Sequence, residues 1–279
     1  MNRLRLVILL CLMLTRALSA QSTIDSLSLA AYSLYAAGEF EDALRIWRPL
    51  AEQGDADAQY NLGFMYYTGE GQDEGTDLTK AVHWYRLAAG QGLAKAQYNL
   101  SLMYADGNGL PQDYTKAAHW CRLAAKQGSA GAQLSLGSMY YYGQGVPKDL
   151  AKSVHWYHLA AEQGLAKAQF NLGFMHYSGE GVPKDPSKAA RWFRRAAEQG
   201  NIKAQFNLGF LYYSGEGVPQ DNVEAYKWFY LSYNLAAPVE DLIARDYRDR
   251  AGRRLTTEQR DRAQQLAIEW KPQPETLGK

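Results

Sequence analysis

The residues best suited to chemistry in this 279-residue sequence are its five histidines, its two cysteines and a recurrent Gly-x-Gly. His83, His119 and His155 recur every 36 residues, as a ladder of metal ligands would. Equivalent positions in stacked helical units lie roughly 10 Å apart, whereas a Zn–N bond is about 2 Å, so the three cannot share an ion. His155 and His158 stand at i, i+3, two ligands without a third. His176 occupies a position that is tyrosine at Tyr66, Tyr104, Tyr140 and Tyr212, which reads as a satisfied core imidazole. Cys121 fills the slot of Tyr85, Tyr157 and Phe193, where a thiol packs as a small hydrophobe and is no nucleophile. A phosphate cradle needs one glycine-rich turn between a strand and a helix, not the same turn five times over. Paired carboxylates, a nucleophile elbow and a His-Glu metal motif are all missing, and the serines lack a placed His and Asp. The expectation is no catalytic residue, no metal ligand and no cofactor: not an enzyme.

The elements that carry these residues follow from a repeat. Trp84, Trp120, Trp156, Trp192 and Trp228 are spaced by 36, and Gln59, Gln97, Gln133, Gln169 and Gln205 keep the same beat after a first interval of 38. Five units are framed: 55–92, 93–128, 129–164, 165–200 and 201–236. Within each, the punctuation predicts two helices, as in Leu165 to Ser178, the turn Gly179 to Asp185, and Pro186 to Gln199 closed by Gly200. Asp113, Asp149, Asp185 and Asp221 precede second helices, where a carboxylate accepts orphan N–H bonds and meets the positive end of the helix dipole. At 100° per residue the first helix of unit one puts Ala58, Leu62, Met65 and Tyr66 on one side and Tyr60, Phe64 and Tyr67 on another. A helix apolar on two sides must be covered on both, which stacking of hairpins supplies. On the second helix Ala81, Trp84, Tyr85 and Ala88 point inward, with the Trp expected to fill each hairpin.

The remaining functional candidate is the second aromatic face of the first helices. It comprises Tyr60, Phe64 and Tyr67; Tyr98 with Leu102; Tyr141; Phe170, Phe174 and Tyr177; and Phe206, Phe210 and Tyr213, with Asn61, Asn99, Asn171 and Asn207 beside them. Exposed aromatic rings next to amides suit a peptide or helix held by apolar anchoring and hydrogen bonds, although the first ring of each triple also has neighbouring second helices to pack against. Lys95, Lys167 and Lys203 near this face favour an acidic or C-terminal carboxylate partner. Overall charge adds no preference: 30 Lys and Arg stand against 29 Asp and Glu.

The stretch Ala-Gln-Phe-Asn-Leu-Gly-Phe-Met-His-Tyr-Ser-Gly-Glu-Gly-Val-Pro-Lys-Asp, residues 168 to 185, resembles the Sel-one-like repeat (SLR), as does Lys188 to Gly200, and the likeness extends over all five units. The family is related to the tetratricopeptide (TPR) repeats. The resemblance therefore implies an all-α fold, a right-handed superhelical α-solenoid of antiparallel helix pairs, with a concave face built mainly by first helices. It also implies an interaction scaffold that binds a protein or peptide. Some cysteine-rich secreted members of the family are associated with β-lactam binding, which gives an alternative: a cell-wall-related small-ligand binder or hydrolase. Those members carry a cysteine pair per repeat, which this chain lacks.

The ends differ from the repeats. Residues 1–20 carry Arg3 and Arg5, an apolar run from Leu6 to Leu14 and small residues to Ala20, the pattern of a secretory signal peptide. The run is shorter than the roughly 20 residues that span a bilayer, so no stable membrane insertion is expected after cleavage, and the location expected is periplasmic or secreted. Cleavage removes Cys11 and leaves one thiol. Residues 26–54 resemble a shorter hairpin; 238–270 read as two charged capping helices, the second opened by the capping box Thr256 to Gln259; and 271–279 form a tail. The arginines from Arg245 to Arg262 are interleaved with Asp246, Asp249, Glu258 and Asp261, a solvated cap with no nucleic-acid site.

Overall fold

Each repeat is bounded by its own start and stop signals. In the computed structural model, which describes residues 23–71, 75–235 and 242–273, Asp77, Asp113, Asp149 and Asp185 each accept the N–H three residues on, at 2.9–3.0 Å. Asp221 accepts the N–H groups two and three residues on, those of Val223 and Glu224. The signal-like residues 1–20 lie outside the described residues.

Only helices occur among the described residues, in two units. In the unit ending at Gln127, α1 covers residues 23–36 and is followed by α2 (Phe40–Glu52), α3 (Ala56–Thr68), α4 (Leu78–Gly90), α5 (Ala94–Asp106) and α6 (Tyr114–Lys126). The unit from Gly128 holds α7 (Ala130–Tyr142), α8 (Leu150–Glu162), α9 (Ala166–Ser178), α10 (Pro186–Glu198), α11 (Ile202–Ser214) and α12 (Asn222–Leu235), then the capping pair α13 (Leu242–Gly252) and α14 (Thr257–Ile268). The capping box at Thr256 and Gln259 is formed.

The Gly-x-Gly turn has a packing cause. Gly179 ends α9 in the left-handed region at φ +81°, while a Cβ at Gly181 would lie 2.6 Å from the carbonyl oxygen of Leu150 in the preceding repeat. The first glycine turns the chain, and the second admits a neighbouring backbone.

Inside each hairpin the plug is the residue after the repeating tryptophan, which corrects the sequence expectation. Trp84, Trp120, Trp156 and Trp192 are half-buried, and only Trp228, at 3% exposure, is buried within the five repeats. Tyr85, Tyr157, Phe193 and Phe229 are the buried rings, set against glycines of the first helix: a Cβ at Gly137 would sit 2.6 Å from Tyr157, and one at Gly173 2.8 Å from Phe193. In repeat two the ring shrinks to Cys121 and the glycine position becomes Ser101, both buried, so the cysteine belongs to a compensating pair.

The recurrent glutamines join successive elements. Gln91 Nε2 donates to Gln59 Oε1 (2.8 Å) and to the Gly54 carbonyl (2.9 Å), while Gln59 donates to the Ala51 carbonyl (3.1 Å). Gln127 with Gln97, Gln163 with Gln133 and Gln199 with Gln169 repeat the side-chain bond at 2.7–2.8 Å. Buried amides linked in this way fix one register between hairpins, because a slip would leave each of them unpaired.

Candidate functional site

In the first unit the aromatic face is partly occupied by its own chain. Tyr60 packs on Tyr85 at 5.6 Å between centroids, and the Lys95 ammonium lies 4.5 Å over its ring while also pairing with Asp57 at 2.6 Å. Asn99 Nδ2 donates to the Tyr60 hydroxyl at 3.5 Å. Helix α1 covers part of the rest: Tyr32 donates to the buried Asn61 (3.2 Å) and Tyr35 meets Phe64 edge-on at 6.3 Å. Tyr35 also donates to Glu70 at 2.6 Å, and burial followed by that carboxylate pushes its phenol up to about 12. A hollow of about 170 Å³ remains between Tyr32, Tyr35, Trp47, Tyr60, Asn61 and Phe64. Tyr67 is exposed and Tyr98 half-buried.

The second unit contains a larger groove of about 770 Å³, supplied by α7, α8, α9 and the start of α11. Tyr157 and Met175 lie at its buried floor, and Phe170, itself against Phe193 at 5.9 Å, rises beside them. Burial raises the Tyr157 phenol, whose oxygen lies 3.0 Å from Ser138 Oγ. Phe174 is 39% exposed and Tyr142 68% exposed, unusual for rings facing a cavity that no other element among the described residues fills. Tyr141 meets Tyr142 edge-on at 4.9 Å; its phenol is pushed up to about 12 by its hydrogen bond to Glu180 and then by burial. Asn171, Asn201, Lys167 and Lys203 add polar groups, and no Asp or Glu is among the described residues that line the groove. Lys167 stands where the first repeat has Asp57, so the ion pair of the first unit has no counterpart here.

The remaining sequence candidates are engaged elsewhere. Phe206, Phe210 and Tyr213 are covered by Tyr247 of α13, whose ring lies 5.8, 5.7 and 5.9 Å from theirs, and Arg254 sits 4.0 Å over Tyr213. Asn207 donates back to the Lys203 carbonyl on its own helix (3.0 Å). Tyr177 donates to Glu216 at 3.4 Å, with Lys184 over its ring and paired to the same Glu216 at 3.0 Å.

Sequence reasoning missed Tyr142, Ser138 and Ile202 in the groove and Tyr247 as a cover. The run Tyr140-Tyr141-Tyr142 was a visible signal for the first; a lone tyrosine in a charged helix gave none for the last. No group of three or more His, Cys, Asp or Glu side chains capable of holding a metal occurs among the described residues.

Comparison with known proteins gives the Sel1 repeat, matched over residues 56–93, 94–129, 130–165, 166–201 and 202–236. Among solved structures, the chain is similar to a Sel1 repeat protein from Oxalobacter formigenes, at 30% identity over 82% of this chain and 100% of that one, with a TM-score of 0.70. It is also similar to c5321, a protective antigen present in uropathogenic Escherichia coli strains and displaying an SLR fold. There the identity is 31% over 93% of this chain and 60% of that one, with a TM-score of 0.73. The comparison with curated proteins returned no match.

Proposed function

The chain belongs to the Sel1 repeat family, and from that premise we propose that it is an exported scaffold binding a protein segment in the groove around Phe170, Phe174 and Tyr142. Sel1 repeats commonly mediate protein–protein interaction, and such scaffolds are typically non-enzymatic. The observation that carries the choice of groove is internal to the chain. The equivalent rings of the next repeat, Phe206, Phe210 and Tyr213, already hold an aromatic side chain, Tyr247, presented by a helix. The bound segment accordingly presents an aromatic anchor to Phe170 and Phe174. Lys167 and Lys203, without carboxylate partners among the described residues, call for an acidic group beside that anchor.

Capture from an envelope extract tests this with wild type, Phe174→Ala, and the pair Lys167→Glu with Lys203→Glu. A binding segment of the stated kind is lost from both variants; an unchanged set of captured proteins removes the groove from consideration. Export rests on the pattern of residues 1–20. N-terminal sequencing of the protein recovered from cell fractions checks it: a chain still beginning at Met1 in the cytoplasm overturns export.

A further inference from the structure

Where the second helix of the third repeat meets the fourth repeat, one corner departs from the repeat pattern at four positions, and every change introduces an imidazole or a guanidinium. His176 on α9 stands where other repeats have Tyr66, Tyr104, Tyr140 and Tyr212, and His158 on α8 stands where they have Arg86, Arg122 and Arg194. Arg191 replaces the histidine of His83, His119 and His155, and Arg195 the leucine of Leu87, Leu123 and Leu159. Elsewhere this corner is filled. Arg86 donates to the Tyr104 phenol at 3.2 Å with Lys116 5.6 Å over the ring, and Arg194 donates to the Tyr212 phenol.

Between the third and fourth repeats the two shorter imidazoles do not refill the space. A hollow of about 570 Å³ opens, lined by His158, His176, Lys188, Arg191, Arg195 and Trp192, with Val154 behind. Nδ1 of His176 is shielded from solvent and has no hydrogen-bond partner, so the imidazole is not the satisfied core group its sequence position suggested. Two of the cations are partly neutralised: Lys188 by Asp185 at 3.4 Å and Arg195 by Glu162 at 3.3 Å, the latter guanidinium also lying 4.6 Å over Trp192. Arg191 has no carboxylate partner among the described residues. Burial first, then Lys188, holds the His176 imidazole below its ordinary range, although Asp185 opposes this. The same positive field repels a metal cation and leaves an oxyanion as the complementary ligand.

We propose that this hollow binds the phosphate of a small phosphate monoester, with Arg191 and Lys188 supplying charge, the two imidazoles donating N–H, and Trp192 walling the organic body. The hollow is far larger than a bare phosphate, which is why an ester is specified. It lies on the side of α9 away from Phe174 and is independent of the groove assigned above.

The histidine Cε1–H signals of the full-length protein test this by NMR, with phenyl phosphate as probe. His158 and His176 are expected to shift saturably while His83 and His119 stay in place, and Arg191→Gln is expected to weaken binding about tenfold. The combined His158→Arg, His176→Tyr variant rebuilds the Arg–Tyr pair of the other repeats; it is expected to unfold as cooperatively as wild type and to lose the response. Saturable binding retained in that variant overturns the proposal, as does no shift with phenyl phosphate. A response to vesicles containing phosphatidic acid without one to phenyl phosphate overturns the small-ester assignment, and a response to zinc chloride alone overturns the anion assignment.

Discussion

Repeats four and five carry nearly the same aromatic face, Phe170, Phe174 and Tyr177 against Phe206, Phe210 and Tyr213, yet the two faces have different fates. In the fifth repeat Tyr247 of α13 lies edge-on against all three rings, and its own ring tilts against Phe229 at 5.5 Å. In the fourth, Phe170 rests on Phe193 and Tyr177 is held by Glu216, but Phe174 stands exposed beside an open groove, with Tyr142 of the third repeat exposed across it. One sequence pattern therefore serves both as a cap-docking surface and as a candidate site. What separates them is whether the chain itself supplies the covering aromatic group.

The comparison can be broken or sharpened by substitution. The largest effect is expected beneath both faces. Phe193→Ala removes a buried ring set against Gly173 and costs about 3–5 kcal/mol in denaturant unfolding, while the half-buried Trp192→Ala costs less than half as much. Equal losses would restore the tryptophan as the plug. Next, Phe210→Ala costs about 2–3 kcal/mol because its ring is covered, whereas Phe174→Ala costs below about 1 kcal/mol. If the two cost the same, the faces are not energetically distinct. Tyr247→Ala is expected to cost about 2 kcal/mol and to expose the fifth face, read as increased fluorescence of a bound apolar dye; unchanged fluorescence would deny it the role of cover.

The smallest effect is the response to pH. Because the folded His176 imidazole titrates below its ordinary 6.5, there is a window below that value in which the unfolded chain has taken up a proton that the folded chain has not. Stability therefore falls as pH falls through that window. Lys188, Arg191 and His158 face the imidazole and reinforce this, and Asp185 opposes it. His176→Tyr should flatten the slope, and a variant that keeps it would place the proton uptake elsewhere.

Local chemistry made the hairpins legible in advance. Asp149 and Asp185 cap helices because a carboxylate one residue before a helix meets unsatisfied N–H groups whatever the rest of the chain does. Gly179 stops α9 because a positive φ is nearly free only for glycine. The choice between Trp192 and Phe193 as core was less legible: adjacent residues differ by 100° around a helix, and which of them meets the facing glycine depends on the rotation of the whole helix in its hairpin. Phe174 and Phe210 were indistinguishable, since nothing within their own repeats differs enough to mark one as covered.

The sequence by itself determined the helix pairs, their limits and the period at which they stack, because caps, glycines and apolar spacing act within a few residues of one another. Only the tertiary structure decided which aromatic rings remain available and that the histidine pair formed by the third and fourth repeats leaves a hollow. Both depend on side chains brought together from separate helices, by a distance that no spacing along the chain encodes.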